Sequence, residues 1–166
     1  MRVVFIDPGI SGAIALIDTQ TKRHEVHDIP IMVLGSKRKA PNPYALGELL
    51  TQLKPDVVGI EYVVPIGKKQ TENGTFRHTG MASTGDFMYG AGVLYGVAGA
   101  LGAKVEFVMP AVWKRFFHLI GKSKEASRSL AIRKFPKLSS SLARKKDDGR
   151  AEALLMALWY ASCIGP

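Results

Sequence analysis

Two short apolar runs, Val3-Val-Phe-Ile6 and Ala13-Ile-Ala-Leu-Ile17, flank the segment Asp7-Pro-Gly-Ile-Ser-Gly12, and no other part of the chain constrains the fold as strongly. β-Branched and aromatic residues favour strands, and Pro-Gly followed by a second Gly reverses the chain, so the pair reads as a β-hairpin. Asp7 then closes the first strand as a carboxylate facing the turn. Such a carboxylate suits a metal or a phosphate site, but Asp also forms simple Asx turns. The two readings separate only on whether other acids can meet Asp7.

The rest of the chain extends this hairpin into a sheet. His24 to Ile29 alternates weakly and adds a third antiparallel strand. Gly35 to Pro43 reads as a loop. Asn42 caps a helix with Pro43 at its first position, and Leu46, Leu49, Leu50 and Leu53 recur at helical spacing. Asp56-Val-Val-Gly-Ile-Glu61 is a nearly all-apolar strand, and a buried strand reached through a helix pairs in parallel with the first. Residues 64–86 are rich in Gly, Thr and Lys without an apolar period, which predicts a functional loop, mobile without its ligand. Phe87 to Leu101 has helical apolar spacing, with glycines at 90, 92, 96 and 99 that suit close packing in the core or at a dimer seam. Lys104 to Val108 is a fifth strand, Pro110 to Phe117 a short helix, Lys122 to Phe135 a basic helix stopped by Pro136, and Ser139 to Ser141 a connector. A final helix starts near Asp148 and runs through Ala151 to Cys163. The expectation is an α/β fold in one domain, 1–166: a five-stranded mixed sheet, three strands antiparallel and then parallel ones, flanked by helices.

At 166 residues with 46% hydrophobic side chains the chain can bury one core, and no second domain is needed. No apolar stretch approaches the roughly 20 residues of a membrane span, and the chain opens on a strand instead of a cationic leader, so a soluble cytoplasmic protein is expected. The single Cys163, in an apolar segment, fits a reducing compartment and a place in the core. Net charge is +9 and unevenly spread: residues 1–103 hold 10 basic and 9 acidic side chains, whereas 104–166 hold 13 and 5. A basic C-terminal third, with Lys114, Arg115, Lys122, Lys124 and Arg128, points to a polyanion, and nucleic acid fits best. The bland alternative is a solubilising face. His24, His27, His78 and His118 have no spacing that suggests a site, and Trp113 and Trp159 fit packing.

Asp7 and Glu61 each close a strand, and the topology sets the two strands side by side. Asp148 and Glu152, four apart at the start of the last helix, project from one face. Like charges so placed repel, and a buried carboxylate is costly unless paired, so a cation accounts for the group. Hard oxygen donors with neither a His triad nor paired Cys favour Mg²⁺ or Mn²⁺ over Zn²⁺. Two ions about 4 Å apart, bridged by Asp7, suit phosphodiester hydrolysis. Taken singly, Asp148 is also favourable at a helix N-terminus, and Glu152 also fits an exposed helical position.

The Asp-Pro-Gly-Ile-Ser-Gly opening at 7–12, Ile-Glu-Tyr at 60–62, the glycine-rich helix, Val-Met-Pro-Ala-Val-Trp-Lys at 108–114 and Asp-Asp-Gly-Arg-Ala-Glu-Ala at 147–153 together resemble the RuvC-type Holliday junction resolvases of the ribonuclease H-like superfamily. The resemblance spans nearly the whole chain. It implies a homodimer that binds four-way and other branched DNA and makes paired nicks with two Mg²⁺ ions per site, leaving 3′-hydroxyl and 5′-phosphate ends. Its four carboxylates would fall on Asp7, Glu61, Asp148 and Glu152. The family's last acids are commonly three apart and end in Asp, so Asp147 competes with Asp148 here. Where bacterial members carry an aromatic wedge, this chain has Val63-Val-Pro-Ile66, and Phe76 lies deeper in the loop. That loop, with Lys68, Lys69, Arg77 and His78, looks nearer to phage-type members. Lys145 and Lys146, just before the acids, suit phosphate contacts. Two rivals stand beside this reading: a non-catalytic branched-DNA-binding module, and a fragment of an actin-like or sugar-kinase-type ATPase, whose chains also open on an Asp-x-Gly hairpin but run to two domains.

Overall fold

The computed structural model describes residues 1–35, 37–62, 68–70, 76–78 and 80–164. Strands β1 (Arg2–Asp7), β2 (Ala13–Asp18) and β3 (His24–Asp28) form the expected antiparallel meander. A small hairpin of β4 (Ile31–Leu34) and β5 (Arg38–Pro41) leads into helix α1 (Pro43–Leu53), and β6 (Val57–Glu61) returns parallel to β1. The short pair β7 (Lys68–Gln70) and β8 (Phe76–His78) precedes α2 (Met81–Ala100), after which β9 (Lys104–Val108) pairs in parallel with β6. Helices α3 (Pro110–Phe116), α4 (Lys124–Lys134) and α5 (Asp148–Ile164) complete the chain, with 3₁₀ turns at Pro136–Leu142 and Lys145–Asp147. The main sheet runs β3-β2-β1-β6-β9, which is the expected five-stranded mixed sheet.

Side chains alternate across a strand, so β1 and β2 feed two cores. Val3, Phe5, Ala13, Ala15 and Ile17 face α5, whose Ala151, Leu154, Leu155 and Met156 are fully buried because α4 covers its outer side. Val4, Ile6, Ile14 and Leu16 face the other way, onto Leu46 and Leu50 of α1 and Leu94 and Ala98 of α2. The layers are therefore α1 and α2, sheet, α5, then α4. Helix α1 begins as its sequence dictates: the Asn42 side chain accepts the N–H groups of Tyr44 and Ala45, with Pro43 at the first helical position.

Four expectations need correction. Residues 35–43 are not all loop, since Arg38–Pro41 pairs with Ile31–Leu34. Helix α2 starts at Met81, six residues before the first apolar repeat, because its opening turns are mostly exposed and carry no apolar period to announce them. The segment 64–86 is thus part helix and part hairpin; residues 64–67, 71–75 and 79 of it lie outside the described ones, as do the side chains of Lys68, Lys69, Phe76, Arg77 and His78. Cys163 is exposed, not a core residue, because it sits on the outer face of the last turn of α5. No described helix is long and apolar enough to cross a membrane.

Candidate active site

Parallel pairing of β1 with β6, Ile6 opposite Ile60, brings the two strand-end acids Asp7 and Glu61 side by side at one end of the sheet. The turn after Asp7 closes through the Gly12 N–H to Gly9 C=O bond of 3.1 Å, and a Cβ at Gly12 would stand 2.0 Å from the Asp7 carbonyl oxygen. Only glycine fits there. The first turn of α5 is pressed onto the same spot: a Cβ on Gly149 would lie 2.8 Å from Ser11 O and 2.9 Å from Asp7 Oδ2. Asp148 and Glu152 arrive beside Asp7 on that turn.

The carboxyl of Asp7 registers the other three acids. Crowding by protein, then Glu61 and Glu152, push the Asp7 carboxyl well above the usual carboxylate range, with Lys124 opposing and Asp148 adding to the rise. Burial raises Glu61 as well, and its hydrogen bond from Trp113 opposes that rise. Trp113 is fully buried and its Nε1–H donates to Glu61 Oε1 at 2.9 Å. The indole reaches Glu61 because Val108 at the end of β9 pairs with Glu61, and α3 starts two residues later. Glu152 is buried, with Ser127 Oγ–H and Lys114 Nζ each 3.4 Å from its Oε1. Asp148 is ion-paired with Lys124.

Asp147 and Asp148 separate clearly. Asp147 is buried away from the group and is bound by the backbone N–H and guanidinium of Arg144, which hold its carboxyl below the usual range. It closes the turn before α5, while Asp148 is the neighbour that acts on Asp7. Among the described residues no three acids, His or Cys stand close enough together to hold an ion as their side chains lie. The donors nevertheless fit one. They are hard oxygen ligands, and Asp7 and Glu61 are held above their usual range by burial and by neighbouring acids, both of which a divalent cation offsets.

The basic residues divide into three groups. Lys114 and Lys124 are part of the acidic site, Lys114 also lying 5.0 Å from the centroid of the Trp113 ring. Arg128 is not a free cation: its guanidinium is spent on Glu125 and on the carbonyls of Leu142 and Ala143. Arg115, Lys122, Lys145 and Lys146 are exposed, and Lys145 lines, with Lys124 and Arg128, a depression of about 320 Å³ beside Asp148. Trp113 and Ser127 were not foreseen as site residues. For Trp113 the only signal is its place as the fourth residue of a helix that follows a strand neighbouring Glu61; for Ser127 there is none. Arg150 was also unforeseen; it clamps α5 to β3 through Asp28 at 2.7 Å.

No protein-family model matches the chain, and no curated protein matches it. Solved structures do. Thermus thermophilus RuvC in complex with a Holliday junction substrate superposes with a TM-score of 0.55 at 17% identity, covering 99% of this chain and 97% of that one. Thermus thermophilus RuvC alone gives 0.53 at 18%, over 98% and 96%. The fowlpox virus Holliday junction resolvase gives 0.56 at 18%, over 99% and 100%. The fold of this chain is that of RuvC, the ribonuclease H-like α/β fold.

Proposed function

We propose that this chain is a Mg²⁺-dependent, structure-selective endodeoxyribonuclease that resolves four-way DNA junctions, and other branched DNA, by paired nicking. The observation that carries the reading is the convergence of Asp7, Glu61, Asp148 and Glu152, from two strand ends and one helix start, in a fold shared end to end with junction resolvases. These four carboxylates would hold two Mg²⁺ ions, with Mn²⁺ able to substitute. When bound, the metal supplies a nucleophilic water and neutralises charge on the leaving oxygen.

The chain's own residues do the rest. Trp113 fixes one Glu61 oxygen and leaves the other for ligation. Ser127 and Lys114 orient Glu152. Lys124 and Lys145 border the depression next to Asp148, where a scissile phosphate would find positive charge. Arg115, Lys122 and Lys146 extend the phosphate-binding surface; Lys68, Lys69 and Arg77, expected from the sequence to contact DNA, belong to β7 and β8 and their side chains lie outside the described residues. Homodimerisation is supported by the outer side of α2 and the adjoining edge strand, where Met88, Tyr89, Tyr95 and Phe107 are about half exposed. A second copy covering that face would set two sites for paired nicks.

Two observations favour a second reading, a module that binds branched DNA without cutting it: Lys124 already neutralises Asp148, and among the described residues the converging acids do not bring three side chains close enough to hold an ion as they lie. A synthetic four-way junction, incubated with and without Mg²⁺, separates the two. The nuclease reading expects nicking by wild type that needs the metal and a loss of at least a hundredfold in Glu61→Gln. Binding without cutting by both proteins supports the module, and equal cutting by both refutes the ligand assignment.

A further inference from the structure

On the other side of the Asp7 turn from α5 lies a cavity of about 250 Å³, formed where the turn residues Gly9 and Ile10, Pro41 at the end of β5, and Asp86, Phe87 and Gly90 of α2 come together. Its walls are an aliphatic side chain, a proline ring and an aromatic ring. Gly90 keeps its floor low, since a Cβ there would already touch the Pro41 ring at 3.5 Å. The polar groups at its rim are the Asp86 carboxylate and, one helical turn earlier, the Ser83 hydroxyl. Asp86 is ion-paired to Arg38, which also lies 5.5 Å from the centroid of the Tyr89 ring.

This chemistry does not suit a phosphate, which the carboxylate would repel. It suits a flat, uncharged, amino-bearing heterocycle. A nucleobase stacks on an aromatic face, and a carboxylate accepts from the exocyclic amino group of cytosine, adenine or guanine, guanine adding its ring N–H beside it, whereas thymine has no exocyclic amino group. The position is equally pointed, because Gly9 is only two residues from Asp7. A base entering here belongs to a nucleotide next to the phosphodiester held at the acids. Bases at the centre of a branched junction are the least costly to unstack, since their pairing is already strained.

We infer that this cavity receives an unstacked base flanking the scissile phosphodiester, with Phe87 as its stacking platform and Asp86 reading the exocyclic amino group, so that the pair sets the sequence preference of cutting. The inference rests on the nuclease reading above. Asp86 keeps enough acceptor capacity for this role, because a carboxylate has about four lone-pair sites and Arg38 does not use them all.

The test uses the full chain and four-way junctions in which the nucleotides flanking the cut are randomised, the nicked products being sequenced. A second set of junctions carries fluorescent 2-aminopurine at those positions. Wild type should favour the amino-bearing bases cytosine, adenine and guanine over thymine at one flanking position and quench 2-aminopurine there. Phe87→Leu retains a good helix former in α2. It should lower junction affinity about tenfold, within the range that one stacked base contributes, and abolish the quenching. Asp86→Asn, whose amide donates as well as accepts, should flatten the preference against thymine. Unchanged preference and quenching in both variants would overturn the inference, and so would a uniform loss of affinity with preference intact, which is what ordinary packing damage produces. Those outcomes leave the nuclease reading standing; a wild type that neither binds nor nicks the junction overturns both.

Discussion

Replacing Trp113 by Phe removes one hydrogen-bond donor from the most enclosed part of the acidic site, and the consequences follow from the geometry. The indole Nε1–H lies 2.9 Å from Glu61 Oε1, with Trp113 fully buried and Glu61 9% exposed. A hydrogen bond to a charged group contributes about 1.5–3 kcal/mol net, and leaving a buried acceptor unsatisfied forfeits that amount. The smaller ring also leaves a cavity, so the total loss in Trp113→Phe exceeds the hydrogen-bond part. A double-mutant cycle with Glu61→Gln isolates it. With the carboxylate replaced by a neutral amide, the indole bond falls to neutral strength and the same Trp113→Phe change should cost about 1 kcal/mol less; the cavity part cancels. For a domain of this size each kcal/mol moves the melting temperature by roughly 2–4 °C, so thermal melts of the four proteins resolve the difference. The cycle has a chemical counterpart, since the indole opposes the upward displacement of Glu61. Without it the carboxylate should protonate at higher pH, and metal-dependent nicking by Trp113→Phe should need a more alkaline buffer than wild type to reach its plateau. If Trp113→Phe costs the same in both backgrounds and the pH profile does not move, the indole is packing only, and the claim that it orients a metal ligand fails.

A divalent cation should stabilise the fold: at a hundred times its dissociation constant the gain is about 2.7 kcal/mol, a rise of about 5–10 °C in the melting temperature. That rise should vanish in Asp7→Asn, and a metal-independent melting temperature in wild type would refute the site. Without metal the sign reverses. Because the Asp7 carboxyl is displaced upward, its fold-destabilising charge develops as pH rises through the carboxylate range, so Asp7→Asn should become progressively more stable than wild type over that window in thermal melts. Asp18 should behave oppositely. The N–H groups of Thr21 and Gln20 hold its carboxyl at about 2, so the stability it contributes is present above its unfolded value and lost as pH falls towards 2; urea titrations of Asp18→Asn should therefore differ from wild type at pH 6 and converge at pH 2. Gly149→Ala should destabilise by about 1–3 kcal/mol and depress nicking, since the new Cβ meets Ser11 O at 2.8 Å and Asp7 Oδ2 at 2.9 Å. In an ordinary helix position the same change would stabilise, so the sign alone decides.

What could be read in advance was whatever local pattern controls. β-Branched runs specified β1, β2, β6 and β9, and a helical link between two apolar strands specified their parallel pairing, which is enough to place Asp7 beside Glu61. Spacing by four placed Asp148 and Glu152 on one face. The N-terminal part of α2 escaped because Met81, Ala82 and Ser83 are exposed and leave no apolar period, although a helix needs none there once its later turns pack Leu94 and Ala98 against the sheet. The charged, proline-ended Arg38–Pro41 looked like loop because only its last two residues are buried. In the site, the partners were illegible wherever they come from elsewhere in the chain. Arg144 binds Asp147, and without that contact two adjacent aspartates are equivalent on paper. Trp113 has the same ambiguity in stronger form. A buried indole needs an acceptor, and nothing in Val-Met-Pro-Ala-Val-Trp-Lys says which. The acceptor is decided by register: Val108 stands beside Glu61, so a helix starting two residues later must carry its first inward aromatic under that carboxylate. An acid at a strand end therefore has a second place to be sought in such folds, in the first turn of the helix that follows the neighbouring parallel strand, where a donor can fix one oxygen and leave the other for metal.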